Sequence, residues 1–175
     1  TKPFDIQELR LRVRNVLMRH RRGSLTNAIT GLPEKQLLIE TIEENLQNNK
    51  FGVIIISLQK LNEYRDINGF VATNEVLRNM VMILKEIMLK ENPAPFLAQW
   101  GNSNFVILTH TDQTDQFEKT IYQNLYPKLE TLYPQRSQQT GRIDQQLEIK
   151  ILKKIVNPNT ESLQKIIFDI ERLIN

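Results

Sequence analysis

The sequence predicts an α/β sandwich: a mixed central sheet with helices over both faces, preceded by an amphipathic linker helix. Three observations carry this. FGVIIISL, Phe51 to Leu58, is a short, almost continuously apolar run, the mark of a strand buried on both sides. FLAQWGNSNFVIL, Phe96 to Leu108, reads as two strands around a tight turn. Helical periodicity returns before, between and after these segments, so helices alternate with strands.

From Asp5 to about His20, Ile6, Leu9, Val13, Val16 and Leu17 fall at helical spacing, with arginines on much of the other face. The spacing is close to a heptad, so Ile6, Leu9, Val13 and Val16 form a seam expected to seek a partner, a second copy included. Gly23 and Ser24 make a linker. In LTNAITGLPEKQLL, Gly31 and Pro33 punctuate the chain before a helix from about Pro33 to Asn48 bearing Leu38, Ile42 and Leu46. Phe51–Leu58 should be central in the sheet.

A polar loop is expected next. A helix then runs from Thr73 to about Met88, with Leu77, Met80, Leu84, Ile87 and Met88 on one stripe. Strands Phe96–Trp100 and Phe105–Thr109 flank Gly101–Asn104, read as a type I′ or related hairpin turn. Phe117, Ile121 and Leu125 mark a helix that Pro127 interrupts, and PQRSQQTGRIDQQ is a surface loop or hairpin tip. LEIKILKKIV alternates as a strand, and Leu163, Ile166, Ile167, Ile170, Leu173 and Ile174 define a closing helix.

The 175 residues, 40% apolar and 25% charged, suit one packed domain plus an appendage. No apolar run approaches the roughly 20 residues of a membrane span, and TKPFDIQELR lacks a signal peptide's apolar stretch, so the reading is cytoplasmic with no membrane partner. The absence of cysteine excludes disulfides and thiolate metal sites. Net charge is +3, with residues 1 to 22 at +5 and the remainder at −2. A mildly acidic body is a poor polyanion binder, so DNA contact is confined to the first helix, where Arg10, Arg14 and Arg21 share roughly one face. A solvated basic helix is the preferred reading, because nothing in the body resembles a helix-turn-helix.

Two sets of residues carry family resemblances. KPFDIQELRLRVRNVLMRH, Lys2 to His20, looks like the end of a response-regulator receiver domain, with a Lys-Pro-Phe turn and a last helix running into an output domain. From about Leu25 the chain resembles the GGDEF domain of diguanylate cyclases. NAITGLPEKQLL is similar to D-x-L-T-G-L-x-N-R, VIIISLQKLNEYRDINGF to I-D-x-D-x-F-K-x-x-N-D-x-x-G-H, and QWGNSNFVIL to R-x-G-G-D-E-F-x-x-L. The resemblance implies a GGDEF (nucleotide cyclase, polymerase palm-like) fold. It divides the chain into a receiver end and linker helix, 1–22, and a degenerate GGDEF-like domain, 23–175, of a bacterial two-component signalling protein.

The resemblance also implies where chemistry should sit. Family cyclases place carboxylates around the triphosphate of GTP because Mg²⁺ prefers anionic oxygens. The first of these aligns with Ser57, and the acidic pair of the hairpin with Ser103 and Asn104, all neutral. The second motif glycine aligns with Asn102, and the guanine-reading Asn and Asp with Arg65 and Asn74. The product-inhibition motif R-x-x-D aligns with Asn92 to Pro95 and keeps neither charge. The old nucleotide cleft thus comprises Ser57, Gln59, Arg65, Asn74, Gly101, Asn102, Ser103 and Asn104.

These substitutions point to a non-enzymatic signalling output domain without cofactor or metal, acting on a protein partner or by dimerisation. The first alternative is a non-catalytic sensor of GTP or cyclic di-GMP, with Arg65 supplying charge against phosphate. The second is DNA binding through the basic first helix. Trp100 is read as packing rather than a base platform, Met80, Met82 and Met88 as core, and His20 and His110 as too isolated for a metal site.

Overall fold

The computed structural model describes residues 25–47, 50–91, 94–132 and 147–174. The basic first helix with its seam Ile6, Leu9, Val13 and Val16, the linker at Gly23 and Ser24, His20, the polar stretch 134–146 and half of the Asn92–Pro95 motif lie outside the described residues.

In chain order the elements are α1 (Lys35–Leu46), β1 (Phe51–Gln59), α2 (Leu61–Met88), β2 (Phe96–Trp100), β3 (Asn104–His110), α3 (Thr114–Leu125), β4 (Glu148–Val156) and α4 (Leu163–Ile174). A 3-10 turn, Thr111–Gln113, precedes α3 and a longer one, Tyr126–Leu132, follows it, where Pro127 was expected to interrupt the helix. The strands form one sheet in the order β2-β3-β1-β4.

The α/β sandwich stands as read from the sequence, with one change in strand direction. Every pairing among the described strands is antiparallel. The crossover through α2 does return β2 in the same direction as β1, as a mixed sheet supposes. The hairpin then folds β3 back between them, so the two like-directed strands never touch.

β1 is central, with Phe51 opposite His110 on β3 and Val156 on β4. Its even residues Ile54, Ile56 and Leu58 pack with Leu77, Met80 and Leu84 of α2 and Phe117 and Ile121 of α3. Its odd residues Phe51, Val53 and Ile55 pack with Leu38 and Ile42 of α1 and Ile166 and Ile170 of α4. Helices on both sides explain the continuous apolar run, and each fully buried isoleucine stabilises the fold by about 1.5–3 kcal/mol.

The polar loop expected after β1 is instead helical. α2 begins at Leu61, and its backbone leaves the helix at Gly69 (φ 79°, ψ 172°) before resuming. Leu61 and Tyr64, both buried, hold the first segment down. Asn68 Nδ2 donates to Tyr64 O at 3.0 Å, and Thr73 Oγ1 donates to Gly69 O at 2.9 Å, stitching the break. Met80 is core and Met88 packs against it, but Met82 is 66% exposed because it points off the apolar stripe, so the core reading fails there.

β4 is tied to the last helix by a half-buried ion cluster: Lys154 Nζ lies 2.5 Å from both Glu161 Oε2 and Asp169 Oδ2. Among the described residues no helix is long and apolar enough to cross a membrane.

Candidate functional site

The register of β1 and β3 sets the site. It places Ser57 directly opposite Asn104, while β2 and β3 close with Trp100 opposite Asn104. Gly101, Asn102 and Ser103 are therefore a three-residue hairpin loop, so of the type I′ or related turn expected over Gly101–Asn104 it is a related form. Type I′ needs positive φ at both central positions, and among these three residues Gly101 alone has it, at 70°. Asn102 sits at the turn without left-handed backbone. Leu58 N donates to Ser103 O at 2.8 Å, which fixes the loop to the end of β1.

Beneath the loop runs a one-way relay of neutral groups. Gln59 Nε2 donates to Ser57 Oγ at 2.8 Å, Ser57 Oγ donates to Asn104 Oδ1 at 2.5 Å, and Asn104 Nδ2 donates to Trp100 O at 3.3 Å. Ser57 is 2% exposed and Asn104 8%, so these bonds replace water that cannot reach them. Side chains thus bring Ser57, Gln59 and Asn104 together, and Ser103 joins through its carbonyl.

That relay offers a magnesium ion no anionic oxygen. Two cis oxygens on an octahedral Mg²⁺, each at about 2.1 Å, stand about 3.0 Å apart and carry no hydrogen between them. Here the facing oxygens are 2.5 Å apart with the serine hydrogen between them. The relay supplies neither an anionic ligand nor a general base, since the Ser57 hydroxyl faces an amide rather than an imidazole or carboxylate. Among the described residues no three His, Cys, Asp or Glu side chains group to hold an ion.

Arg65 and Asn74 stand apart from this relay on α2, on either side of its break, and neither hydrogen-bonds to the hairpin residues. The Arg65 guanidinium lies 5.4 Å from the centre of the Phe70 ring, with its Nε 4.0 Å from Asp66 Oδ1. Its charge is directed to its own helix.

Three residues that the sequence reading passed over brace the turn from outside. Asn27 Oδ1 accepts from Ile29 N and Thr30 N at 3.0 Å, shaping the loop before α1. Thr30 Oγ1 donates to Gln99 Oε1 at 2.5 Å, while Gln99 Nε2 donates to Gly101 O at 3.1 Å. The available signal was Gln99 itself, a 1% exposed amide in an otherwise apolar strand, which requires buried partners.

Trp100 is packed, 7% exposed, and Lys35 Nζ covers its ring at 4.5 Å while pairing with Glu171 Oε1 at 2.7 Å. At the end of β1, Lys60 is ion-paired to Glu148, and the hydrogen bond to that carboxylate raises the Lys60 ammonium above its ordinary value. Lys35 and Lys60 are thus both ion-paired.

With this geometry in place, the comparisons are informative. A family model described as "Diguanylate cyclase, GGDEF domain" matches residues 24–171. Diguanylate cyclase DgcP of Pseudomonas aeruginosa is 28% identical over 93 residues, which cover 50% of this chain and 13% of that protein's length. The coiled coil and GGDEF domain of DgcB from Caulobacter crescentus, in complex with c-di-GMP, superpose with a TM-score of 0.74 at 14% identity, covering 96% of this chain and 87% of that one. Diguanylate cyclase SiaD of Pseudomonas aeruginosa, in complex with its activator SiaC, gives a TM-score of 0.60 at 15% identity, covering 96% of this chain and 63% of that one. At such identities the structural likeness concerns the fold.

Proposed function

The chain belongs to the GGDEF family, and from that premise we propose that it is a catalytically silent member that signals through protein contacts. The observation that carries this reading is the Ser57–Asn104 hydrogen bond. The positions aligned with two of the metal carboxylates are neutral, buried and bonded to each other. A cyclase must hold a divalent ion beside a triphosphate, and this relay lacks the charge to do so.

The output is then a surface. Ile67, Phe70 and Val71, clustered around the α2 break, are 50%, 71% and 75% exposed, an apolar display of the kind found at interaction sites. That SiaD is captured with an activator protein supports protein contact as a mode of action on this fold. That DgcB carries a coiled coil with its GGDEF domain supports assembly through the heptad-like seam of Ile6, Leu9, Val13 and Val16. With the receiver-like Lys2–His20, the chain takes the role of a response-regulator output domain, divided at residues 22 and 23.

Incubating the chain with Mg-GTP and following cyclic di-GMP by mass spectrometry tests the silence. Product at the level of a heat-killed control agrees with it, and sustained turnover refutes it. The sensor alternative, which relies on Arg65, is disfavoured by the engagement of that guanidinium with Phe70 and Asp66.

A further inference from the structure

α2 carries a second stripe on the side opposite its core face. Val71, Glu75, Arg78, Met82, Lys85 and Leu89 recur at alternating spacings of four and three residues, which keeps them within about 80° of the helix circumference. All six are exposed, and the break at Gly69 lies ahead of them, so the stripe runs along regular helix for about 27 Å. Leu89, at 85%, is the most exposed large apolar side chain among the described residues, and Val71 and Met82 stand out from the surface with it. The Glu75 carboxylate and the Lys85 ammonium make no ion pair or hydrogen bond among the described residues.

The order of these side chains is complementary to itself when reversed. A two-fold axis crossing the stripe midway between Arg78 and Met82 sets Val71 against Leu89 of a second copy, Glu75 against its Lys85, and Arg78 against its Met82. Apolar groups then meet at both ends, opposite charges meet inside them, and the Arg78 stem lies over the Met82 thioether at the centre. A parallel, in-register pairing would instead set Glu75 against Glu75 and Lys85 against Lys85. The sign pattern thus selects the antiparallel arrangement, and the apolar side chains give two exposed faces a reason to meet.

We propose that the outer face of α2 is a self-association surface that docks antiparallel on α2 of a second copy of this chain, with a Glu75–Lys85 ion pair on each side of the axis. One helix face buries less than the about 1,200 Å² of a standard interface, so the contact is weak, with Kd of order 100 μM. The surface goes beyond the dimerisation reading above, since it uses neither the hairpin relay nor the Ile6–Val16 seam.

The test is sedimentation equilibrium of the 175-residue chain at low salt, where exposed charges are least screened. Glu75→Lys and Lys85→Glu, each alone, set like charges against each other on both sides of the axis and should weaken association about tenfold. The double variant exchanges the signs and should recover the parent affinity. An equimolar mixture of the two single variants should form a heterodimer tighter than either homodimer. Because the chain has no cysteine, oxidation of mixed Val71→Cys and Leu89→Cys chains gives a second readout, expected to yield the mixed disulfide over either homodimer. Single charge variants that associate like the parent, a double variant as weak as the singles, or Leu89→Cys chains that cross-link to themselves as readily as to Val71→Cys overturn the proposal. A chain that stays monomeric at about 500 μM also overturns it. Association untouched by the charge variants but lost in Val13→Asp assigns the dimer to the first helix and overturns this surface alone. Mg-GTP turnover, which tests the silence of the hairpin, is a separate readout.

Discussion

The Ser57 hydroxyl donates to the Asn104 amide oxygen across the β1–β3 ladder at 2.5 Å, and both residues are buried. A pair of carboxylates at these two positions would repel each other unless a cation or a shared proton lay between them. Serine and asparagine satisfy each other with no cation. Both positions are thus neutral and bonded to each other across the two strands.

This pairing predicts the cost of breaking it. Ser57→Ala leaves Asn104 Oδ1 without its donor and Gln59 Nε2 without its acceptor in a dry site. The expected loss is about 1–3 kcal/mol, with the melting temperature falling by roughly 2–4 °C per kcal/mol in a chain of this size. Ser57→Asp should be worse at neutral pH, because it sets an unpaired carboxylate against the amide oxygen, and should recover as acid protonates it. Thermal melts of both variants at two pH values check this.

Gly52 predicts a packing defect on the other side of β1. A Cβ there would lie 1.9 Å from Thr114 Oγ1 at the start of α3, and Thr114 is itself held by donating to His110 O at 2.9 Å. Gly52→Ala should therefore destabilise by about 1–3 kcal/mol through overpacking. Adding Thr114→Ala should restore part of the loss, and a urea double-mutant cycle measures the coupling.

The Lys154 cluster gives a pH dependence with a definite sign. A hydrogen bond from Lys154 holds the Asp169 carboxyl below its ordinary value. Burial pulls the Lys154 ammonium down, but hydrogen bonds to Asp169 and Glu161 outweigh it and leave it raised. The Asp169 contribution is present above the ordinary carboxylate range and fades as acid carries the pH through its lowered value, below about pH 4. That of Lys154 is complete below the ordinary lysine value and fades only in strong alkali. Urea midpoints taken from neutral pH into acid should fall, and Asp169→Asn should flatten that fall.

How far the sequence could be read depends on which residues carried a periodic signal. β1, the hairpin strands and the closing helix were legible because burial writes itself into apolar runs such as Val53–Ile56 and stripes such as Ile166 and Ile170. The first segment of α2 was not, because Leu61 and Tyr64 are its only buried side chains before Gly69 and the rest of the stretch is polar. The three-residue turn could not be told from a type I′ turn, since Gly101 serves either. The alignment marked Ser57 and Asn104 as neutral, but their direct bond depends on strand register, which a sequence does not print.

The most direct measurement is a thermal-shift titration with GTP, with and without Mg²⁺. Ligand at about a hundred times Kd stabilises by about 2.7 kcal/mol, several degrees for this chain. A closed, neutral Ser57–Asn104 relay predicts no saturable, magnesium-dependent shift at millimolar GTP. A saturable shift that requires Mg²⁺ would show that the hairpin still holds a metal and a triphosphate, and would contradict the account.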